Sequence, residues 1–329
     1  MQKGELRAFL AFRARLRVHL ACALALLGLL GCEPKSGPAA RVPEPASAPV
    51  AAPVEASRVA EFHPAFLWQL QIEAASVHVL GSVHVARPEL YPLDERIESA
   101  FESSEALVLE LSLDEQAQLA AAAGMMEAAR LPPGVKLKDV VRATTWERLE
   151  ATLKSRGGNL LGLRGFRPWF VALALTSQAL EQEGFSADHG IDEHFRRRAA
   201  GRIPIVALET VEEQLGLFTG LSPETEELML AQTLEELDQF GPQMNAAFEI
   251  WRKGDAAGLD TLLLTPMRQE YPALFARLFS ERNRRMVNKL SELAKDGRRY
   301  FVIVGAGHLV GGDGIVDLFG ARGIVAKQL

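Results

Sequence analysis

Two stretches of this chain, far apart in sequence, end in the same way. SVHVLGSVH (76–84) and YFVIVGAGH (300–308) are apolar runs of strand type that close on glycine, two small or apolar residues, and histidine. A glycine at a strand end lets the chain turn sharply and lets another group approach the backbone. Each histidine, His84 and His308, then lies just past the carboxyl end of its strand, where open α/β sheets bind ligands. That constraint joins the two ends of the folded region in a single sheet.

The remaining pattern agrees. LWQLQIEAASVHVLGSVH (67–84) reads as two short strands around a turn, and ALVLEL (106–111), RIPIVALET (202–210) and the closing IVAKQL (324–329) are further strands. ELYPLDERIESAFESSE (89–105) has a helical face formed by Leu93, Ile97, Ala100 and Phe101. Helical sequence fills 113–183, with breaks at Pro132-Pro133-Gly134 and Gly157-Gly158, and 211–294, with breaks near Gly220–Pro223, Gly241-Pro242, Gly254 and Pro266. A short helix with glycine ends follows in GDGIVDLFGARG (312–323). The expected fold is α/β (α+β). Its mixed β-sheet is built from both ends of the domain, with a helical layer or subdomain from the middle of the chain. The 329 residues, 48% of them apolar, suffice for such a core without disulfides or structural metal. A net charge of −6 argues against nucleic acid as a partner.

The first 60 residues are of a different kind. Five basic residues and one acid (1–17) precede VHLACALALLGLLG (18–31), an apolar run of 14 residues. That is too short to span a bilayer and fits an export signal. It ends Leu29-Leu30-Gly31-Cys32, which resembles the lipobox of bacterial lipoproteins, in which cleavage precedes the cysteine and a diacylglyceryl thioether forms on it. Residues 1–31 are thus expected to be a lipoprotein signal peptide and Cys32 the lipidated residue. Removing the leader would take the net charge from −6 to −10, because it carries four more basic than acidic residues. Residues 32–60 follow as a Pro/Ala-rich tether: the stretch 33–57 holds six prolines and seven alanines and no aromatic residue, too little to offset its ordering entropy. The expected location is the cell envelope, with the membrane engaged through the N-terminal lipid. By resemblance to lipoprotein sorting, Glu33 favours the outer membrane. The domain proper is expected over 61–329.

Glu110, inside ALVLEL, and Glu209, ending IVALET, form a second pair. A carboxylate on a buried strand is costly unless paired with a cation, a metal or good donors. Two histidines and two glutamates at the ends of four strands make an N/O set for a divalent ion of the Zn, Mn, Co or Fe(II) kind. The spacings, 26 residues from His84 to Glu110 and 99 from Glu209 to His308, match no local metal motif, so the fold must assemble any site. Simpler roles stay open. Each histidine can bond backbone at a strand end, Glu110 can be an N-cap or a salt-bridge partner, and Glu209 can stabilise the start of the helix after Thr210. His78 reads as a face-packing residue, and His63, His189 and His194 as solvated or packing histidines. Asp188, Asp192 and Glu193 form an acidic cluster beside the last two and rank second as a site. Arg282-Asn283 lies in a strongly basic helix, either as a solvated face or with the arginine clamping a carboxylate or an oxyanion.

Taken together, LGSVHVARPELYPLDERIESAFESSEALVLELSLD (80–114), GIDEHF (190–195), ALETVEEQLGLFTGLS (207–222), ERNRRMVNKL (281–290) and VIVGAGHLVGGDGIVDLFGARG (302–323) resemble the TraB/PrgY/GumN family, which includes the animal TIKI proteases. The resemblance covers nearly all of 62–329 and implies a metal-dependent, peptidase-like protein. By position it makes His84 and His308 the paired motif histidines, Glu110 and Glu209 the acidic members, and Arg282 and Asn283 the polar support. In a hydrolase built on them, His84, His308 and Glu110 would hold a divalent metal ion, Glu209 would be the general base and Arg282 the oxyanion stabiliser, with the two glutamates exchangeable between ligand and base. The implied partner is a peptide or small-molecule substrate. The alternative is a non-catalytic envelope protein that binds or sequesters a peptide, a metal or haem.

Overall fold

The computed structural model describes residues 64–112 and 115–329. The signal peptide, the lipidated Cys32 and the tether expected over 1–60 lie outside the described residues. Among the described residues no helix is long and apolar enough to cross a membrane.

The fold is α/β. Six strands form one mixed sheet: β1 (Leu67–Ile72), β2 (Ala75–Ser82), β3 (Ala106–Leu109), β4 (Ile205–Ala207), β5 (Tyr300–Gly305) and β6 (Ala326–Gln328), in the order β4-β3-β5-β2-β1-β6. Strands from both chain ends lie side by side, and the chain between β3 and β5 is mostly helical, as the sequence pattern implies. β2, β5, β3 and β4 run parallel, whereas β1 pairs antiparallel with both β2 and β6. Burial follows from this. All four residues of β3 and all six of β5 are buried, as expected for parallel strands covered on both faces, and β1 alternates at Gln69 and Gln71 as an antiparallel strand does.

The parallel register decides where the site falls. Ser82 lies opposite Gly305, Leu109 opposite Ile303, and Ala207 opposite Leu109. Four adjacent strands therefore end at one edge of the sheet, and the residues that follow them emerge together. The ladder continues past β3 and β4, with Leu208 N–H donating to Leu109 O and Glu209 N–H to Glu110 O, both at 2.8 Å.

The motif glycines differ from expectation in one respect. Gly81 does not turn the chain; it sits within β2, paired to Val304. Its missing side chain makes room instead: a methyl there would stand 2.5 Å from the Phe66 ring and 3.1 Å from Ala306 Cα. The prolines of the helical middle also behave differently from simple breakers. Pro242 is in the first turn of the helix Phe240–Arg252, where no N–H is needed. Pro266 follows a π-helical turn, Asp260–Leu264, at the start of the helix Thr265–Glu270. Gly81→Ala should destabilise the protein by about 1–3 kcal/mol, since Phe66 must give way in a filled core. Urea unfolding measures this; an unchanged midpoint would show that Phe66 relaxes freely.

Candidate functional site

The site grows from one buried cation. Arg282 lies on the inward face of the helix Glu281–Leu293, whose outward positions carry Glu281, Arg284, Arg285, Asn288 and Lys289. Its side chain is fully buried and meets both strand-end carboxylates. Nε donates to Glu209 Oε1 (2.8 Å), and Nη2 to Glu209 Oε2 (2.6 Å) and Glu110 Oε2 (2.7 Å), while Nη1 donates to the Leu278 carbonyl (3.2 Å). Gln214 Nε2 completes Glu209 at 3.1 Å. The arginine thus clamps carboxylates, and the solvated-face reading does not hold for it. Glu110 is a salt-bridge partner rather than an N-cap. Helix-start stabilisation after Glu209 belongs to Thr210, which forms a capping box with Glu213.

The two motif histidines stand beside this cluster. Gly305 N–H donates to Glu110 Oε1 (2.6 Å), and that same oxygen is 3.8 Å from His308 Nε2. A methyl built on Gly305 would stand 3.2 Å from His84 Nε2, 3.3 Å from Glu110 Oε1 and 3.6 Å from His308 Cδ2. His84, Glu110 and His308 therefore meet over the second motif glycine, and only a residue without a side chain leaves that space open.

Each ring is oriented through Nδ1. Asn283 Nδ2 donates to the Asp313 carbonyl (2.7 Å), which leaves Oδ1 to accept from His308 Nδ1. His308 Nε2 then carries the lone pair, and it is buried with no hydrogen-bond partner. His84 Nδ1 bonds Asp192 Oδ2 at 3.1 Å. Of the acidic cluster, only Asp192 reaches the site. Asp188 pairs with Arg197, Glu193 pairs with Arg196 and Arg197, and His194 packs against Tyr91 with ring centroids 4.6 Å apart. The sequence signal for Asp192 is Gly190, which precedes it at the helix start. A methyl there would fall 2.3 Å from the His84 carbonyl oxygen, and Ile191 N–H donates to Val83 O (3.1 Å). Glycine lets the helix Ile191–Ala199 come close enough to set Asp192 against His84.

The charges divide the two imidazoles. Burial lowers the pKa of His84, but Asp192 and then Glu110 outweigh it and raise the value to about 9. Burial and then Arg282 lower that of His308 to about 4. Burial raises the Glu110 pKa, but His308, Arg282, His84 and the Gly305 N–H together hold it well below the usual carboxylate range. Burial opposes the charge on Arg282 also, and the two glutamates more than restore it.

Both histidines and Ser82, whose Oγ is also buried without a hydrogen-bond partner, line one narrow cavity of about 30 Å³, enough for a water molecule. Its other walls are Val83 and Gly305 to Gly307 at the strand ends and apolar side chains of the helical layer. Glu110, Glu209, Arg282 and Asn283 do not line it.

The profile of the TraB/PrgY/gumN family matches residues 66–328. The chain belongs to this family. The chain is similar to the uncharacterized protein YbaP of Escherichia coli, at 24% identity over 236 residues, covering 71% of this chain and 84% of that protein. It is also similar to an uncharacterized protein of Treponema pallidum, at 21% identity over 276 residues, covering 78% and 80%. No solved structure matches the chain.

This TraB/PrgY/gumN member fits a divalent ion in donor chemistry. Two imidazoles and a carboxylate suit such ions, and His308 offers a buried lone pair with no other partner. The arrangement is not closed around an ion. Among the described residues no group of three or more His, Cys, Asp or Glu side chains stands in ion-holding geometry. Glu110 is engaged by the Gly305 amide and by Arg282. Substituting Arg282→Leu should leave two buried carboxylates without the guanidinium that joins them, at a cost of about 3–5 kcal/mol. Denaturant unfolding is the measure, and a loss below about 1 kcal/mol, the range of exposed pairs, would refute the buried clamp.

Proposed function

We propose that this protein is a metal-dependent hydrolase of the cell envelope that cleaves a peptide bond or a related acyl bond. The histidine pair is the observation that supports this most. His84 and His308 line one cavity at the carboxyl ends of adjacent parallel strands, and each is held through Nδ1 by an oxygen acceptor with Nε2 on the other side of the ring. Metal-binding histidines are commonly oriented in this way.

His84, His308 and Glu110 would hold the ion, of the Mn, Co, Zn or Fe class, with His84 giving up its Nε2 proton on binding. Bound there, it supplies Lewis acidity toward a carbonyl oxygen and a lowered pKa for water. The chain's own residues set the geometry. Asp192 and Asn283 fix the two rings, and Arg282 keeps Glu110 ionised. The sequence makes Glu209 the base and Arg282 the oxyanion stabiliser. With both Glu209 oxygens bonded to Arg282, which also bonds Glu110, we assign the pair to positioning Glu110. In the reaction, water oxygen bonds to the carbonyl carbon, the carbon–nitrogen bond breaks, and a proton of the water ends on the leaving nitrogen.

The test uses purified protein with Mn, Co or Zn and a peptide library, with and without chelator. His84→Ala and His308→Ala should each abolish cleavage and metal retention while melting near wild type. Asp192→Asn should weaken metal affinity by about 10–100-fold. Full hydrolysis by either alanine variant contradicts the reading. Stoichiometric retention of peptide, metal or haem without turnover would replace it with the binding role.

The envelope attachment rests on the basic leader, the 14-residue apolar run and Cys32. Cys32→Ser should move the protein from the membrane fraction to the soluble fraction. Persistence of the variant in membranes would refute lipid anchoring.

A further inference from the structure

We infer that the substrate carries an apolar group on the acyl side of the bond that is cleaved, and that this group seats in the cavity beside His84 and His308. The inference rests on the hydrolase reading and adds the substrate class to it. The cavity has two unlike parts. Its polar atoms are those of Ser82 and the two histidines, and its remaining walls include Met244, Phe248, Trp251, Leu263, Leu264 and Phe279. The indole N–H of Trp251 is taken by the Gly81 carbonyl (2.6 Å), so this residue offers the cavity no free donor. The charged groups nearby are satisfied by one another behind the histidines: Arg282 by Glu110 and Glu209, and His84 by Asp192. A charged or strongly polar group reaching past Ser82 and the histidines into these apolar walls would lose water and gain no partner there, which is costly. An apolar group would exchange water for carbon surface, at about fourfold in affinity per buried methylene.

The walls are also of an adaptable kind. A cavity of about 30 Å³ holds water but no side chain, so an apolar group enters only as the walls shift. Met244 is unbranched and flexible. Leu263 and Leu264 lie in the π-helical turn Asp260–Leu264, and Phe279 lies in a second, Ala276–Ser280. Such turns interrupt the regular helical ladder and recur at functional sites. Gly307 faces this roof from the histidine side. A methyl on it would stand 3.0 Å from the Phe279 ring and 3.6 Å from Leu264, so glycine keeps the second motif from filling the space itself.

The shared chemistry, a carbonyl bearing an apolar chain, belongs both to a peptide with a hydrophobic residue and to an aliphatic acyl ester. Two substrate series given to the metal-loaded full chain separate these sources. One is p-nitrophenyl esters from acetyl to octanoyl. The other is fluorogenic peptides with Ala, Leu, Phe or Asp supplying the scissile carbonyl. We expect kcat/KM to rise by about fourfold per methylene over the first few carbons, and Leu and Phe to exceed Ala, with Asp uncleaved. A rise in either series supports the inference and names the source. Ala247→Phe, which fills the cavity wall, should flatten the dependence on chain length. If that variant fails to fold, a rise in melting temperature with octanoate, present in the wild type and smaller in Ala247→Leu, reads the same contact. Hydrolysis that is equal for acetyl and octanoyl esters, and for Ala, Leu and Asp peptides, overturns the apolar subsite and leaves the hydrolase intact. No hydrolysis in either series overturns both.

Discussion

The structure around the site depends on a single buried guanidinium. Arg282 joins the ends of β3 and β4 through Glu110 and Glu209 and ties both to the helix Glu281–Leu293 and to the Leu278 carbonyl. A lone carboxylate at the Glu110 position would be forced toward its neutral form by burial. With the guanidinium present, Glu110 can remain charged in a region closed to water. Arginine suits this role because its planar fork serves two carboxylates at once and stays charged. Lysine would offer one compact charge and no fork.

That clamp lets the two imidazoles differ. His84 faces Asp192 and favours the cation, whereas His308 faces Asn283 and Arg282 and stays neutral. The two rings come from corresponding positions of similar motifs on adjacent parallel strands, so the difference arises from what packs against them. The helix Ile191–Ala199 brings the carboxylate to one, and the helix Glu281–Leu293 brings the amide to the other. A site of this kind is asymmetric from its supporting residues rather than from its motif.

Much of the sheet was legible in the sequence. Apolar runs with β-branched residues mark β2, β3 and β5, and the repeated glycine-to-histidine ending points to one edge of one sheet. Glu110 and Glu209 could be read as site residues because each breaks a buried run. Asp192 ranks second in the sequence, since its partner is 108 residues away and the helix around it offers five other acids and bases. Its signal was Gly190, whose need for close approach appears only once β2 and the helix are packed. Arg282 looked like one of several cations on a basic helix; its burial follows from helical periodicity, with Asn283, Met286, Val287 and Leu290 on the same inward face. The apolar roof could not be read, because the π-helical turns that form it depend on how the chain around Pro266 and Phe279 packs over the histidines.

The family assignment and the sheet stand apart from any chemistry, whereas the proposed hydrolase depends on one ion at one place. The most direct measurement is anomalous diffraction from crystals loaded with Mn, Co or Zn. The account predicts one peak at about 2.0–2.2 Å from both His84 Nε2 and His308 Nε2, with Glu110 beside it. A protein that binds the ion elsewhere, or that shows no peak at these nitrogens under saturating metal, would contradict it.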